Sequence, residues 1–160
     1  GHAMLGHLLD AFLLSAEPLA TESERRRNSN PRKLYPVDPG LIRAYDASGR
    51  SNLGHALETA VLNELERRKA EVGYVKTAEG FEVDFHVRHL AGGEELVQVC
   101  ADPSAPATMD RELRALTQAA SDVPRATRRL LVLTRDQAIP METSGVSVQP
   151  AYEWLLAAPA

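Results

Sequence analysis

Apolar side chains recur at helical spacing near the start of the chain, where Leu5, Leu8, Leu9, Phe12 and Leu13 share a face and predict a short amphipathic helix. Residues 21–33 interrupt that pattern. They are polar, contain Pro31 and turn-forming asparagines, and carry five basic side chains against two acidic ones, which predicts a loop. A short strand over 33–37 follows, and Asp38 with Pro39 supplies a cap and a first helical residue for a brief helix reaching Tyr45. The longest helical pattern covers 51–71, with Leu53, Leu57, Ala60, Val61 and Leu65 in one stripe and Gly73 as its terminator. The period then drops to two. Residues 74–78 and 81–89 read as a hairpin turning at Glu79-Gly80, the second strand alternating Phe81, Val83, Phe85 and Val87 against Glu82, Asp84, His86 and Arg88. A third strand over 95–101 sets Leu96, Gln98 and Cys100 against Val97 and Val99. A helix over 108–120 turns Leu113 and Leu116 inward, and the continuous apolar run at 128–134 predicts a strand covered on both faces. A short strand at 146–148 and a helix at 152–156 anchored by Trp154 close the order: helix, three strands, helix, strand, strand, helix, with no internal repeat.

Composition narrows the class. At 160 residues, 44% hydrophobic and 25% charged, the chain suits one soluble α/β domain, and 5% aromatics leave its core to Leu, Val and Ala. Eighteen basic against twenty-two acidic side chains give −4, which argues against a surface covered in phosphate-binding groups but leaves local basic patches open. The single cysteine, Cys100, excludes an intramolecular disulfide and a cysteine-based zinc cluster and suits a reducing, cytoplasmic setting. No apolar run approaches a membrane span, and His7 and Asp10 interrupt the stretch at 5–16 that resembles the apolar part of a secretion signal. Residues 1–4 (GHAM) look like a protease-cleavage scar, which leaves 5–32 as an N-terminal helix with a basic polar loop and 33–160 as the α/β domain proper.

Candidate chemistry lies where charge meets apolar faces. A helical wheel puts Glu58 at the margin of the apolar stripe, between Leu62 and Leu65, where a carboxylate needs a partner or a metal. Glu64 lies nearer the middle of that stripe, and pairing with a helix-edge arginine is the bland account of either glutamate. Asp84 sits in mid-strand, where aspartate is disfavoured, and Gln98 on the neighbouring strand can join it. Carboxylates converging with an amide oxygen and a backbone carbonyl would suit Mg²⁺, whereas alternation alone puts Asp84 on a solvated sheet face. Lys76 shares the face of Asp84 if a three-residue turn joins the hairpin and lies on the other face if the turn has two residues. Two basic groups are candidate phosphate contacts, Arg25, Arg26, Arg27, Arg32 and Lys33 in one and Arg125, Arg128 and Arg129 in the other, against the plainer account of solvated charge. His55, His86 and His89 lack zinc spacing, and no GxxxxGK[ST] provides an ATP site.

The strings KLYPVDPGL (33–41), GHALETAVLNELERR (54–68), EVDF (82–85), LVQV (96–99), RELRAL (111–116), LLVLT (130–134) and WLL (154–156) together resemble the C-terminal domain that follows the ATPase module in many bacterial and archaeal AAA+ proteins. That domain is similar to the PD-(D/E)xK, restriction-endonuclease-like superfamily, whose core is a helix, a three-stranded antiparallel meander, a helix and a further strand. The resemblance implies that Glu58 is the acidic residue of the first core helix, Asp84 the metal-binding aspartate and Gln98 the Glu/Gln of the third strand. Cys100 then stands at the lysine position. A thiol there is neutral and a poor partner for Mg²⁺, so the expected function is a non-catalytic module for recognising nucleic acid or protein beside an ATPase module outside this chain. The alternative is a Mg²⁺-dependent nuclease with Lys76 as a migrated lysine.

Overall fold

The change from a helical to a two-residue period marks where the main sheet begins. The computed structural model describes residues 2–45, 52–138 and 145–157. An N-terminal layer comes first: α1 (His2–Asp10), β1 (Leu14–Glu17), α2 (Glu24–Ser29), β2 (Lys33–Pro36) and α3 (Pro39–Tyr45). The core then runs α4 (Leu53–Arg67), β3 (Glu71–Lys76), β4 (Glu82–Arg88), β5 (Glu94–Cys100), α5 (Pro106–Asp122), β6 (Thr127–Val132), α6 (Arg135–Ala138), β7 (Val146–Pro150) and α7 (Ala151–Leu156).

The five core strands form one mixed sheet in the order β3-β4-β5-β6-β7. The first three are an antiparallel meander, and β6 and β7 add in parallel. A parallel neighbour requires a crossover, and α5 supplies it between β5 and β6. One face of the sheet packs Phe85, Val87, Val97 and Leu131 against α4, α7 and Tyr35. The other packs Val83, Leu96, Cys100, Leu130 and Val132 against α5. Leu130, Leu131 and Val132 are fully buried, as the continuous apolar run predicts, and each such side chain contributes about 1.5–3 kcal/mol of burial.

Several local features depart from the sequence expectation. Helix α1 ends at Asp10, and Phe12, at φ 55°, turns the chain toward strand β1, so Phe12 and Leu13 lie outside the expected helix. Residues 24–29 form α2 within the expected loop, where the Ser23 hydroxyl caps the helix by accepting from the Arg26 amide. Helix α4 stops at Arg67, short of the expected 71, and its expected first residue, 51, lies outside the described residues. Lys69, at φ 57°, turns the chain; the Lys69 amide donates to the Glu66 carbonyl and the Ala70 amide to that of Leu65. This is a Schellman ending built on a lysine, so no glycine marks it in the sequence. Gly73 instead lies within β3, where a Cβ would come 2.9 Å from the Pro18 carbonyl oxygen of the segment that bridges to Tyr74.

The last departure positions the site. Gly73 pairs with His86 but Val75 pairs with Val83, so Tyr74 alone faces two residues, Asp84 and Phe85. A bulge of this kind breaks the strict alternation of β4. Val83 consequently faces α5, while Phe85 and Val87 face α4.

The β1–β2 ribbon is tied to this core by polar contacts. Tyr74 donates its hydroxyl to the Pro31 carbonyl at 2.7 Å, Asn63 Nδ2 donates to the Val37 carbonyl at 2.8 Å, and Ser15 Oγ donates to Glu66 at 3.0 Å. Among the described residues no helix is long and apolar enough to cross a membrane.

Candidate functional site

The bulge in β4 determines what surrounds Asp84. The ladder between β4 and β5 ends at Phe85 opposite Val97, and beyond it the backbone pairing gives way to side-chain bonds. The Val99 amide donates to Asp84 Oδ2 at 3.0 Å, and the Asp84 amide donates to Gln98 Oε1 at 3.1 Å. Gln98 passes the connection on, with Nε2 donating to Glu112 Oε2 at 2.7 Å, and Arg111 closes the chain on Glu112 Oε1. Asp84, Gln98 and Glu112 are each at least 93% buried, so satisfied hydrogen bonds are what make their burial tolerable.

The remaining oxygen of Asp84 faces a lysine. Lys33 Nζ, carried on β2, lies 3.0 Å from Asp84 Oδ1 and 2.8 Å from Glu82 Oε1. Burial by itself would depress the Lys33 pKa, but the Asp84 charge and the bonds to Glu82 and Asp84 outweigh it and hold the ammonium above its ordinary range. For Asp84 burial is the largest influence and pushes the carboxyl up, opposed by Lys33 and the Val99 amide. Lys33 is thus turned into an acidic cleft, away from the arginines with which its sequence position groups it.

Glu58, on α4, lines the same cleft of about 880 Å³ as Asp84, Gln98, Cys100 and Glu112. Its Oε2 accepts the Tyr35 hydroxyl at 3.2 Å, and Tyr35 stacks on His55 with ring centroids 5.4 Å apart. Burial first and the Asp84 charge second raise Glu58 to a pKa of about 7, against the opposing pull of Lys33 and the Tyr35 hydrogen bond. The structure therefore brings Glu58, Asp84 and Gln98 around one cleft. Glu64 takes the bland role, bonded to Arg67 and Arg68 at 2.7 Å each.

Lys76 follows the three-residue-turn alternative. The Thr77 amide bonds the Phe81 carbonyl, Gly80 stands at φ 89°, and Lys76 pairs opposite Glu82. It is nevertheless exposed, and the ion pairs to Glu82 and Asp84 go to Lys33. Cys100 is buried among the α5-side residues, and burial raises its thiol pKa, so it stays neutral near pH 7.

The donor set does not fit a preformed Mg²⁺ site. Both oxygens of Asp84 already accept hydrogen bonds, both ends of the Gln98 amide are engaged, and one Glu58 oxygen holds Tyr35. Among the described residues no three His, Cys, Asp or Glu side chains are grouped so as to hold a metal ion. The cation held against Asp84 is the ammonium of Lys33.

Sequence reasoning missed three members of this constellation. Lys33 reads in the sequence as part of the basic loop, and nothing local reveals a long-range ion pair across 51 residues. Tyr35 reads only as a strand residue. Glu112 did carry a signal: it lies three residues after Met109 and four before Leu116, both buried, so it occupies the inward stripe of α5 as anomalously as Glu58 does on its helix.

The basic candidates scatter. Arg27 donates to the Thr21 carbonyl, Arg129 is held by Glu95 and Gln149, Arg32 acts on half-buried Glu17, and Arg25 is exposed. Arg26 and Arg125 both line a second cleft. Comparison with known proteins finds no matching family model, no matching curated protein and no matching solved structure.

Proposed function

We propose that this chain is a restriction-endonuclease-like domain of the kind that follows an AAA+ ATPase module, with its former catalytic cleft converted into a structural charge network. In this reading the domain recognises a partner and does not cleave it. The order of α4, the β3–β5 meander, α5 and β6 agrees with that core. The observation that carries the reading is the Lys33 ammonium bonded to both Asp84 and Glu82 while a buried, neutral Cys100 stands two residues after Gln98. A nuclease of this class uses its aspartate to hold a divalent cation and a lysine to balance charge developing on the phosphodiester. Here the lysine's charge is spent on the carboxylate, so neither task is free to be done.

Purified domain incubated with plasmid or single-stranded DNA and Mg²⁺ or Mn²⁺ is expected to leave both intact. Metal-dependent cutting that disappears in Asp84→Ala overturns the reading in favour of a working nuclease. If that activity also disappears in Lys33→Ala or in Lys76→Ala with the fold intact, the variant that loses it identifies the migrated lysine. Calorimetric titration with Mn²⁺ gives a second check. Wild type and Asp84→Asn are expected to give the same small heats, because an ammonium already neutralises the aspartate.

A further inference from the structure

The two edges of the main sheet are finished differently. Along β3 the segment 18–20 lies beside the strand: the Tyr74 amide donates to the Pro18 carbonyl at 3.0 Å, and the Ala20 amide donates to the Tyr74 carbonyl at 2.8 Å. That strand also begins and ends in exposed charge, at Glu71 and Lys76. At the other edge, β7 pairs with β6 alone among the described residues. Its sequence, VSVQP, has no charged side chain, and Pro150 stands at its last position, so neither a lysine nor a mid-strand proline blunts it. Alternate residues of such a strand aim their N–H and C=O groups away from the sheet, where another strand or water must satisfy them.

Helix α7 adds an apolar flank over that same edge. Helix α4 packs on β3 and β5, whereas α7 packs beside it on β6 and β7. Ala151 and Trp154 turn inward, and Arg68, just past the end of α4, stacks on the Trp154 ring at 4.5 Å. At about 100° per residue, Tyr152 and Leu156 fall on the flank opposite Trp154, away from α4 and toward the β7 edge. They are 46% and 84% exposed. An open strand with an apolar helix flank above it offers both the backbone and the side-chain parts of a strand-addition surface.

We propose that β7 and α7 form the contact of a homodimer, in which β7 pairs antiparallel with β7 of a second copy and the Tyr152 and Leu156 flanks meet over the joined strands. A second copy is the occupant this surface specifies. A two-fold axis normal to the sheet makes the paired edge strands antiparallel and keeps both α7 helices on one face, so a single isologous contact covers strand and flank together. An uncharged strand also meets its own copy without the like-charge repulsion that lysine or glutamate would impose. Area sets the strength. A five-residue strand is about 17 Å long, and strand plus helix layers are about 20–30 Å deep, so each copy buries roughly 350–500 Å². A standard interface buries about 800 Å² per partner, which puts this dimer in the micromolar range of Kd and not the nanomolar one. The contact lies outside the acidic cleft, so its failure leaves the reading of that cleft untouched.

Sedimentation velocity on the full chain from about 5 to 500 µM tests this contact. The protein is expected to pass from monomer to dimer across that range. Hydrogen exchange at the same concentrations is expected to slow over 147–149 as the dimer forms and to stay constant along β3. Leu156→Asp sets like charges against each other where the flanks meet, and Ser147→Lys does so on the strand; both positions are exposed, so the monomer keeps its fold. Each is expected to weaken dimerisation at least about tenfold. Phe12→Asp removes a comparably exposed apolar side chain from the N-terminal layer, at a φ of 55° that aspartate tolerates, and is expected to change nothing. A chain that stays monomeric at about 500 µM overturns the proposal. So does a dimer that survives both edge variants, or one that forms without added protection at 147–149. A dimer lost in Phe12→Asp but kept in Leu156→Asp moves the contact to the N-terminal layer and overturns it as well.

Discussion

The two ends of α5 handle charge in opposite ways. At its start, Lys33, Asp84, Gln98, Glu112 and Arg111 form a closed chain in which each buried polar group spends its bonding capacity on another. Around its end, Arg26 and Arg125 are exposed and have no salt-bridge partner among the described residues, while His86 Nε2 is shut off from solvent 3.6 Å from Glu94. The difference teaches that the residues most conspicuous as chemistry in the sequence are those the fold has neutralised. Burial demands partners, and a partnered carboxylate has little left for a ligand. Exposed cations need no such partner, because water solvates them.

The sharpest way to break this comparison is to unpair the acidic end. Lys33→Met leaves Asp84 and Glu82 without their cation, and because the lysine is still partly exposed the expected loss is about 2–4 kcal/mol, less than a fully buried pair would give. Urea denaturation measures it. Lys33→Met/Asp84→Asn is expected to recover more than half of that loss, and a single-variant loss below about 1 kcal/mol would reduce the pair to a surface contact.

Acidity sharpens the same contrast. Glu58 and Glu17 are both raised from 4.5 to about 7, Glu58 by burial and the Asp84 charge, Glu17 by burial and the Glu66 charge. Between those values the folded state holds protons that the unfolded chain has released, so stability falls as pH rises from about 4.5 through about 7. Glu58→Gln, which keeps a hydrogen-bond partner for Tyr35, is expected to stabilise the protein by about 1–2 kcal/mol at pH 8 and by little at pH 4.5. Equal effects at both pH values would show that Glu58 is not held protonated.

Filling the position after Gln98 tests how closed the network is. Cys100→Lys places an ammonium among Val132, Met109 and Leu116 and is expected to cost about 2–3 kcal/mol in thermal or chemical denaturation. A neutral result would mean that the lysine reaches the cleft, where a cation at this position could act on substrate.

The smallest effect is expected at Glu64. Its pairing with Arg67 first, and with Arg68, lowers its pKa to about 2, a contribution present above about 4.5 and lost as pH falls through about 2. The Glu64 side chain is 11% accessible but lies along the helix surface, covered by its own two arginines. The helix-surface setting decides the matter, and Glu64→Gln is expected to cost less than about 1 kcal/mol at pH 7. A larger loss would place a second high-stakes charge cluster on α4.

The sequence by itself determined the order of the core elements and much of their burial. Periodicity located α4, the meander, α5, the doubly covered β6 and the Trp154 helix, because each depends on which local side chains avoid water. It also singled out Glu58, a carboxylate at the margin of an apolar stripe, and Asp84, an aspartate in mid-strand, with Gln98 on the neighbouring strand. Tertiary structure decided the rest. The bulge at Asp84–Phe85 arises from pairing with β3, and it overturns an alternation that looks perfect in one strand read alone. The end of α4 uses a lysine in the left-handed region, which packing of Ala70 and Leu65 in the core supports and propensity does not reveal. Lys33 lies in a basic stretch yet turns inward, because its strand is laid across the sheet where two carboxylates await a cation. Local pattern reports which residues prefer burial, whereas the partner a buried charge receives depends on strands brought together from distant parts of the chain.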